Sequence, residues 1–139
     1  MIILDTNVLS ELMKAAPAPS VSEWVVTQPA SRLFITAVTQ AEILYGIGLL
    51  PKGRRRGSMA IAAKAMFDED FNDRILAFNS DAATAYADIA VVRRNEGRPI
   101  SQFDAQIAAI TRSTGAALAT RNVGDFEGCE IELINPWKN

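Results

Sequence analysis

Apolar and polar positions fall in blocks along this chain, and the blocks predict strands alternating with helices. Met1-Ile2-Ile3-Leu4 is an unbroken apolar run that stops at the polar Asp5-Thr6-Asn7, the pattern of a buried strand ending in a turn. Asn7 is suited to cap a short helix over 8–14, which the segment Ala15-Ala16-Pro17-Ala18-Pro19 breaks. Ser20, with Glu23 three positions on, caps a second helix that Pro29 ends. Arg32-Leu33-Phe34-Ile35-Thr36 is β-branched and aromatic, hence a strand. A third helix opens at Thr39 and runs to about Leu50. Residues 51–57 read as a basic loop, 58–71 as an alanine-rich helix and 74–78 as a short strand. Ser80 caps a long helix to about Asn95, and Ser101 starts another over 102–113 with Gly115 as its C-terminal cap. Residues 116–120 form an apolar strand, and 130–134 a last one closed by Asn135-Pro136-Trp137. Alternating β and α elements predict an α/β fold, a mainly parallel sheet with helices on both faces. No repeat, linker or low-complexity segment divides the chain, so residues 1–139 are expected to form one domain.

Composition narrows the chemistry. The chain has 139 residues, 49% hydrophobic and 22% charged, ordinary for a soluble globular protein. It has no apolar stretch of membrane-spanning length and no signal-peptide pattern at its start. A single cysteine, Cys129, excludes an intramolecular disulfide and fits a reducing compartment, so a cytoplasmic location is expected. There is no histidine, which removes Ser-His-Asp and Cys-His catalysis and His-ligated zinc or iron. A metal would have to be held by oxygen ligands, which favours Mg²⁺ or Mn²⁺. No glycine-rich phosphate loop is present. Net charge is −2; with the four carboxylates discussed next set aside, 12 acidic residues remain against 14 basic ones. That remainder is compatible with a nucleic-acid partner without indicating one.

Four acids carry the candidate chemistry. Asp5 stands at the carboxyl end of the first strand, where ligands of open α/β sheets bind, although it could simply cap a helix. Glu42 and Asp104 sit in the capping-box patterns Thr39-x-x-Glu42 and Ser101-x-x-Asp104, each at a helix start whose dipole favours negative charge. Ser20-x-x-Glu23 repeats the pattern with no evident chemistry, so capping is the plainer reading of each box alone. Asp125 follows the strand over 116–120 in a polar loop, where an Asp is commonly a turn residue. Taken together, all four can reach one sheet edge. Clustered carboxylates repel one another and need a counter-charge, and without His or Cys one or two Mg²⁺ or Mn²⁺ ions supply it. Such ions activate water and hold phosphate oxygens, with a pair roughly 3.5–4 Å apart, which is the chemistry of in-line phosphodiester hydrolysis. Lys52 and Arg54-Arg55-Arg56 read equally as a solvated loop or as a contact for phosphate or an acidic partner. Trp24 and Trp137 read as core anchors, and Cys129 as inert.

With these acids placed, the chain resembles the PIN-domain family, and within it the VapC toxins of type II toxin–antitoxin pairs, FitB-like branch. The matching stretches are Ile3-Leu4-Asp5-Thr6-Asn7-Val8-Leu9-Ser10-Glu11, Thr39-Gln40-Ala41-Glu42-Ile43-Leu44-Tyr45-Gly46, Asp104-Ala105-Gln106-Ile107-Ala108-Ala109, Ala119-Thr120-Arg121-Asn122-Val123-Gly124-Asp125-Phe126 and Asn135-Pro136-Trp137. The resemblance implies a three-layer α/β/α domain and a Mg²⁺-dependent endoribonuclease that an antitoxin blocks. It implies that Asp5, Glu42 and Asp104 form the acidic, metal-binding triad, with Thr6 supporting metal or phosphate. The fourth acidic role falls to Asp125, with Asn122 as a neutral neighbour, where some relatives carry Asp in place of Asn122. It also implies a homodimer, an antitoxin segment that wraps the toxin and places a basic side chain among the carboxylates, and operator DNA reached only through that antitoxin. Three other readings stand beside it. A haloacid-dehalogenase-like phosphatase would want a second acid where this chain has Asn7. A binding module would use RNA or a partner without cutting. A PIN nuclease of RNA processing would have no antitoxin.

Overall fold

β1 (Ile2–Leu4) is the central strand of a five-stranded parallel sheet in the computed structural model, which describes residues 1–138. On one side it pairs with β2 (Leu33–Thr36), and β2 with β3 (Ile75–Leu76). On the other it pairs with β4 (Ala117–Ala119), and β4 with β5 (Glu132–Ile134). The strand order is therefore β3-β2-β1-β4-β5. The chain first winds outward from β1 through β2 to β3, then returns to β1's other flank. That reversal makes the carboxyl ends of β1 and β4 the switch point of the sheet, where a crevice opens.

Alternation along the strands builds two cores. Ile2 and Leu4 face one side, with Leu33 and Ile35, and pack against α1 (Thr6–Leu12), α2 (Pro19–Val26), α3 (Ala37–Gly48) and α4 (Arg54–Ala65). Ile3 and Leu118 face the other side, against α5 (Ser80–Asn95) and α6 (Gln102–Thr114). Helices thus cover both faces, as strands buried on both sides require. No helix among the described residues is long and apolar enough to cross a membrane.

The helix starts differ from the sequence-based expectation in ways that matter at the site. Asp5, not Asn7, caps α1: its carboxylate accepts the Thr6 N–H at 2.8 Å. Thr36, not Thr39, caps α3, accepting the Thr39 N–H at 3.1 Å, so Thr39 is buried inside the first turn and Glu42 lies beyond any capping position. Ser20 lies inside α2; Pro19 pre-sets the first helical φ and forces Ala18 to be extended, so the helix starts there. Asn79 precedes Ser80 and takes the cap of α5 from it. Arg54, Arg55 and Arg56 are the first turn of α4 and not a loop. The third and last strands are shorter than 74–78 and 130–134. Ser101 caps α6 as expected, and Gly115 closes it at φ 70°, a conformation that favours glycine.

Truncating Ile3, fully buried at the centre of β1, is expected to cost about 2–5 kcal/mol in Ile3→Ala by urea unfolding. The same change at Ile61, 74% exposed on α4, should stay within about 0.5 kcal/mol. Equal losses at the two positions would contradict the layering.

Candidate active site

The parallel sheet brings Asp5, Thr6, Glu42, Asp104, Asn122 and Asp125 to one cleft of about 450 Å³ at the carboxyl ends of the strands. Asp5 arrives at the end of β1, Glu42 from the second turn of α3, and Asp104 from the first turn of α6. Asn122 and Asp125 come from the loop after β4, which closes into a 3₁₀ turn over Val123–Phe126. Four segments far apart in sequence thus supply these four carboxylates to one cavity, and Glu11 of α1 lines it as a fifth.

Asp5 is the most constrained of them, 5% exposed and hydrogen-bonded on both oxygens. Oδ1 accepts the Thr6 N–H; Oδ2 accepts the Thr120 hydroxyl at 2.7 Å and the Asn7 amide at 3.3 Å. The backbone of Asp5 also donates to the Ala119 carbonyl at 2.9 Å, locking the ends of β1 and β4 together. Burial pushes its carboxyl up to about 6 from an ordinary 3.8, partly offset by the Thr120 and Thr6 hydrogen bonds and reinforced by the charges of Asp104 and Glu42. Asp104, half-buried, is also raised, by burial first and then by Asp125, against the lowering influence of Ser101 and Arg93. The carboxylates therefore feel one another across the cleft.

Glu42 is held by a chain of hydroxyls. Thr6 Oγ1 donates to Glu42 Oε1 at 2.8 Å, which commits its only proton. The Thr39 hydroxyl, 2.9 Å away, must then donate to Thr6, and the Thr36 hydroxyl donates to Thr39 at 3.4 Å. Thr36 and Thr39 are fully buried, and no buried side-chain polar atom among the described residues lacks a partner. Asn7 plays a comparable part on the other wall: its amide nitrogen serves Asp5 and Thr120, and its oxygen accepts the Arg121 N–H at 3.3 Å.

Several supporting residues carry no clear mark in the sequence pattern. Thr120 is one, though a polar residue directly after an apolar strand is a readable signal. Glu11 is buried and accepts the Ala18 N–H and Lys14 Nζ, each at 3.0 Å, which holds its carboxyl below the usual range and staples the α1–α2 connection. Arg93 is 5% exposed and forms no salt bridge among the described residues; its guanidinium donates to the carbonyls of Arg98, Asp125 and Glu127 at 2.8, 2.7 and 3.1 Å. It fixes the backbone that presents Asp125, and nothing in the pattern of α5 announces that role. Trp137 packs at the edge of the first core, as expected, but also lines the cleft. Cys129 is buried beside Arg93, and burial raises its thiol, in keeping with an inert residue.

The donor set suits a hard divalent cation: carboxylates and hydroxyls, partly desolvated and mutually repelling. Among the described residues no three Asp, Glu, Cys or His side chains enclose an ion as they stand. Asp5 is fixed, whereas Glu42 and Asp104 are only partly buried, so closure around an ion falls to rotation of those two.

Comparison with known proteins places this geometry. The PIN domain family model matches residues 2–127. The VapC ribonuclease Y4jK of Sinorhizobium fredii is 36% identical over 138 residues, 99% of both chains. Toxin FitB of Neisseria gonorrhoeae is 31% identical over 137 residues, again 99% of both. The solved FitAcB structure from Neisseria gonorrhoeae superposes with a TM-score of 0.94 over 100% of each chain, and VapBC-1 from nontypeable Haemophilus influenzae with 0.80 at 26% identity, over 99% of this chain and 100% of that one.

The raised Asp5 carboxyl has a measurable consequence. In metal-free buffer the folded protein keeps that proton up to about pH 6, the unfolded chain only to about 3.8. Asp5's contribution to stability is therefore most favourable below the lower value, declines as pH rises between the two, and is lowest above about 6. A shift of this size corresponds to about 3 kcal/mol. Asp5→Asn should lack that segment in urea unfolding from pH 3.5 to 7 in EDTA. Parallel wild-type and variant profiles would contradict the burial of a protonated Asp5.

Proposed function

The chain belongs to the PIN-domain family, and from that premise we propose that it is a metal-dependent endoribonuclease acting as the toxin of a type II toxin–antitoxin pair. One observation carries the reading: four carboxylates from four distant segments converge on a single cleft around the buried Asp5. The names of its relatives, ribonucleases and toxins at 31–36% identity over nearly the whole chain, favour the same activity.

In this reading Asp5, Glu42 and Asp104 hold Mg²⁺, with Mn²⁺ as a substitute. A cation there would neutralise the acids, polarise water and the scissile phosphate, and stabilise the leaving oxygen. The chain's own groups do the positioning. Asp5 is immobilised by Thr120, Asn7 and the start of α1, and Thr6 aims Glu42 through its committed hydroxyl. Asp125, on the exposed rim and fixed through its backbone by Arg93, would take the fourth acidic role and accept a proton from the attacking water. Asn122, beside it, meets the phosphate as a neutral donor. The phosphatase alternative is disfavoured by Asn7, whose amide is consumed by Asp5, Thr120 and Arg121 and cannot act as an acid or base.

The partners follow from two further surfaces. A mainly apolar groove adjoins the cleft between α1, α3 and α4, sharing Thr6, Ser10 and Glu42 with it and edged by Arg55. It suits an antitoxin segment that runs on to set a basic side chain among the acids; operator DNA is reached through that antitoxin. Tyr45, Leu49 and Phe103, each more than half exposed, give apolar surface for a homodimer. Cytoplasmic action fits an RNA substrate.

Purified chain, freed of any co-purifying antitoxin, should cut labelled structured RNAs, tRNA and ribosomal fragments included, in Mg²⁺ or Mn²⁺ but not in EDTA. Asp104→Asn should lower the rate at least about 100-fold. At subsaturating metal, cleavage should also decline as pH falls, because a proton on Asp5 competes with the cation, and the decline should move to lower pH as the metal concentration is raised. RNA binding without cutting, indifferent to metal and to Asp104→Asn, would replace the nuclease with a binding module.

A further inference from the structure

Arg121 is the cleft cation that no salt bridge among the described residues engages. It follows Thr120 at the carboxyl end of β4, on the edge where the carboxylates gather, and its side chain lines the same cavity. Its backbone is gripped from both sides: the N–H donates to Asn7 Oδ1 at 3.3 Å and the carbonyl accepts Asn135 Nδ2 at 3.4 Å. Asn135 Oδ1 in turn accepts the backbone N–H of Trp137 at 3.0 Å, which ties down the backbone that carries the indole. The Arg121 guanidinium lies 5.2 Å from the centre of the Trp137 ring.

Of the other cations near the cleft, Lys14 and Arg93 are committed, and Arg55 edges the adjoining groove. Lys14 pairs with Glu11 at 3.0 Å, and Arg93 is buried on three carbonyls. Arg121 forms no salt bridge among the described residues, and its guanidinium is not among the groups that act appreciably on Asp5 or Asp104. Its charge does lower Glu11 on the cleft wall, as the smallest of that carboxyl's influences, but it is not the counter-ion of Asp5 and Asp104. An exposed guanidinium, held by an aromatic face at the rim of an anionic cleft, has the features of a phosphate contact for single-stranded nucleic acid. Its planar fork presents two parallel N–H donors to two phosphate oxygens, a geometry the point charge of a lysine does not offer.

We propose that Arg121, steadied by Trp137, binds a non-scissile phosphodiester of single-stranded RNA and sets the strand's path past the carboxylates. The proposal rests on the ribonuclease reading above. It gives the two walls of the cleft different roles. The acids hold the cation and the bond to be broken, and Arg121 holds the strand beside it.

The proposal is tested by fluorescence anisotropy with a fluorescein-labelled single-stranded RNA in Mg²⁺, on an Asp104→Asn background so that the probe survives. Arg121→Gln should bind about tenfold more weakly and flatten the dependence of log affinity on log salt by about 0.7. Arg121→Lys should keep the salt slope while losing part of the affinity. With Asp104 restored, Arg121→Gln should raise KM and leave kcat within about twofold, because the contact is as strong in the ground state as in the transition state. Parent-like affinity and slope in Arg121→Gln, while the parent chain binds and cuts RNA, would overturn this subsite alone. A parent chain that neither binds nor cuts RNA would overturn the subsite and the nuclease reading together.

Discussion

The hydrogen bond from the Thr120 hydroxyl to the buried Asp5 carboxylate, across 115 residues of chain, ties the sheet to the site. It joins the ends of β1 and β4, the two strands whose connections leave in opposite directions, and so sits where the crevice must open. One carboxylate caps α1, receives Thr120 and Asn7, and faces the charges of Glu42 and Asp104. Burying a lone charge there would be costly, and the protein limits the cost in two ways. Hydrogen bonds occupy both oxygens, and the carboxyl is pushed up to about 6, so that it holds a proton readily when no cation is present.

The rest of the cleft depends on that anchor through short polar chains. The hydroxyls of Thr36, Thr39 and Thr6 hand one donor direction forward to Glu42. Asn7 passes the position of Asp5 on to the backbone of Arg121. Arg93, buried with only carbonyl oxygens and the Cys129 sulfur as partners, holds the loop that carries Asp125 while keeping a positive charge within reach of Asp104. Rigid supports under movable carboxylates are what a site needs if it is to close on an ion without rebuilding itself.

Much of this is legible in the sequence. The apolar runs at 1–4 and 116–120 predict the two central strands, and the absence of His limits the chemistry to oxygen ligands. What the pattern cannot decide is which of two good capping residues wins. Thr36 and Thr39, Asn79 and Ser80, and Asp5 and Asn7 all have capping side chains, and the choice is made by where the preceding strand or turn releases the backbone. That choice has consequences: with Thr36 as the cap, Glu42 is freed from the capping box and faces the cleft. Arg93 and Glu11 are hidden for a different reason. Both are charged residues on otherwise ordinary helices, and only the tertiary packing shows that they are buried.

The central claim is that the cluster around Asp5 is a cation site, and binding itself tests it most directly. The thermal midpoint of the antitoxin-free chain should be followed against Mg²⁺ and Mn²⁺ concentration at pH 7.5, for the parent and for Asp5→Asn. A saturable rise of a few degrees in the parent, absent in the variant, is the predicted result. No shift at millimolar metal, or an equal shift in both proteins, would contradict the account.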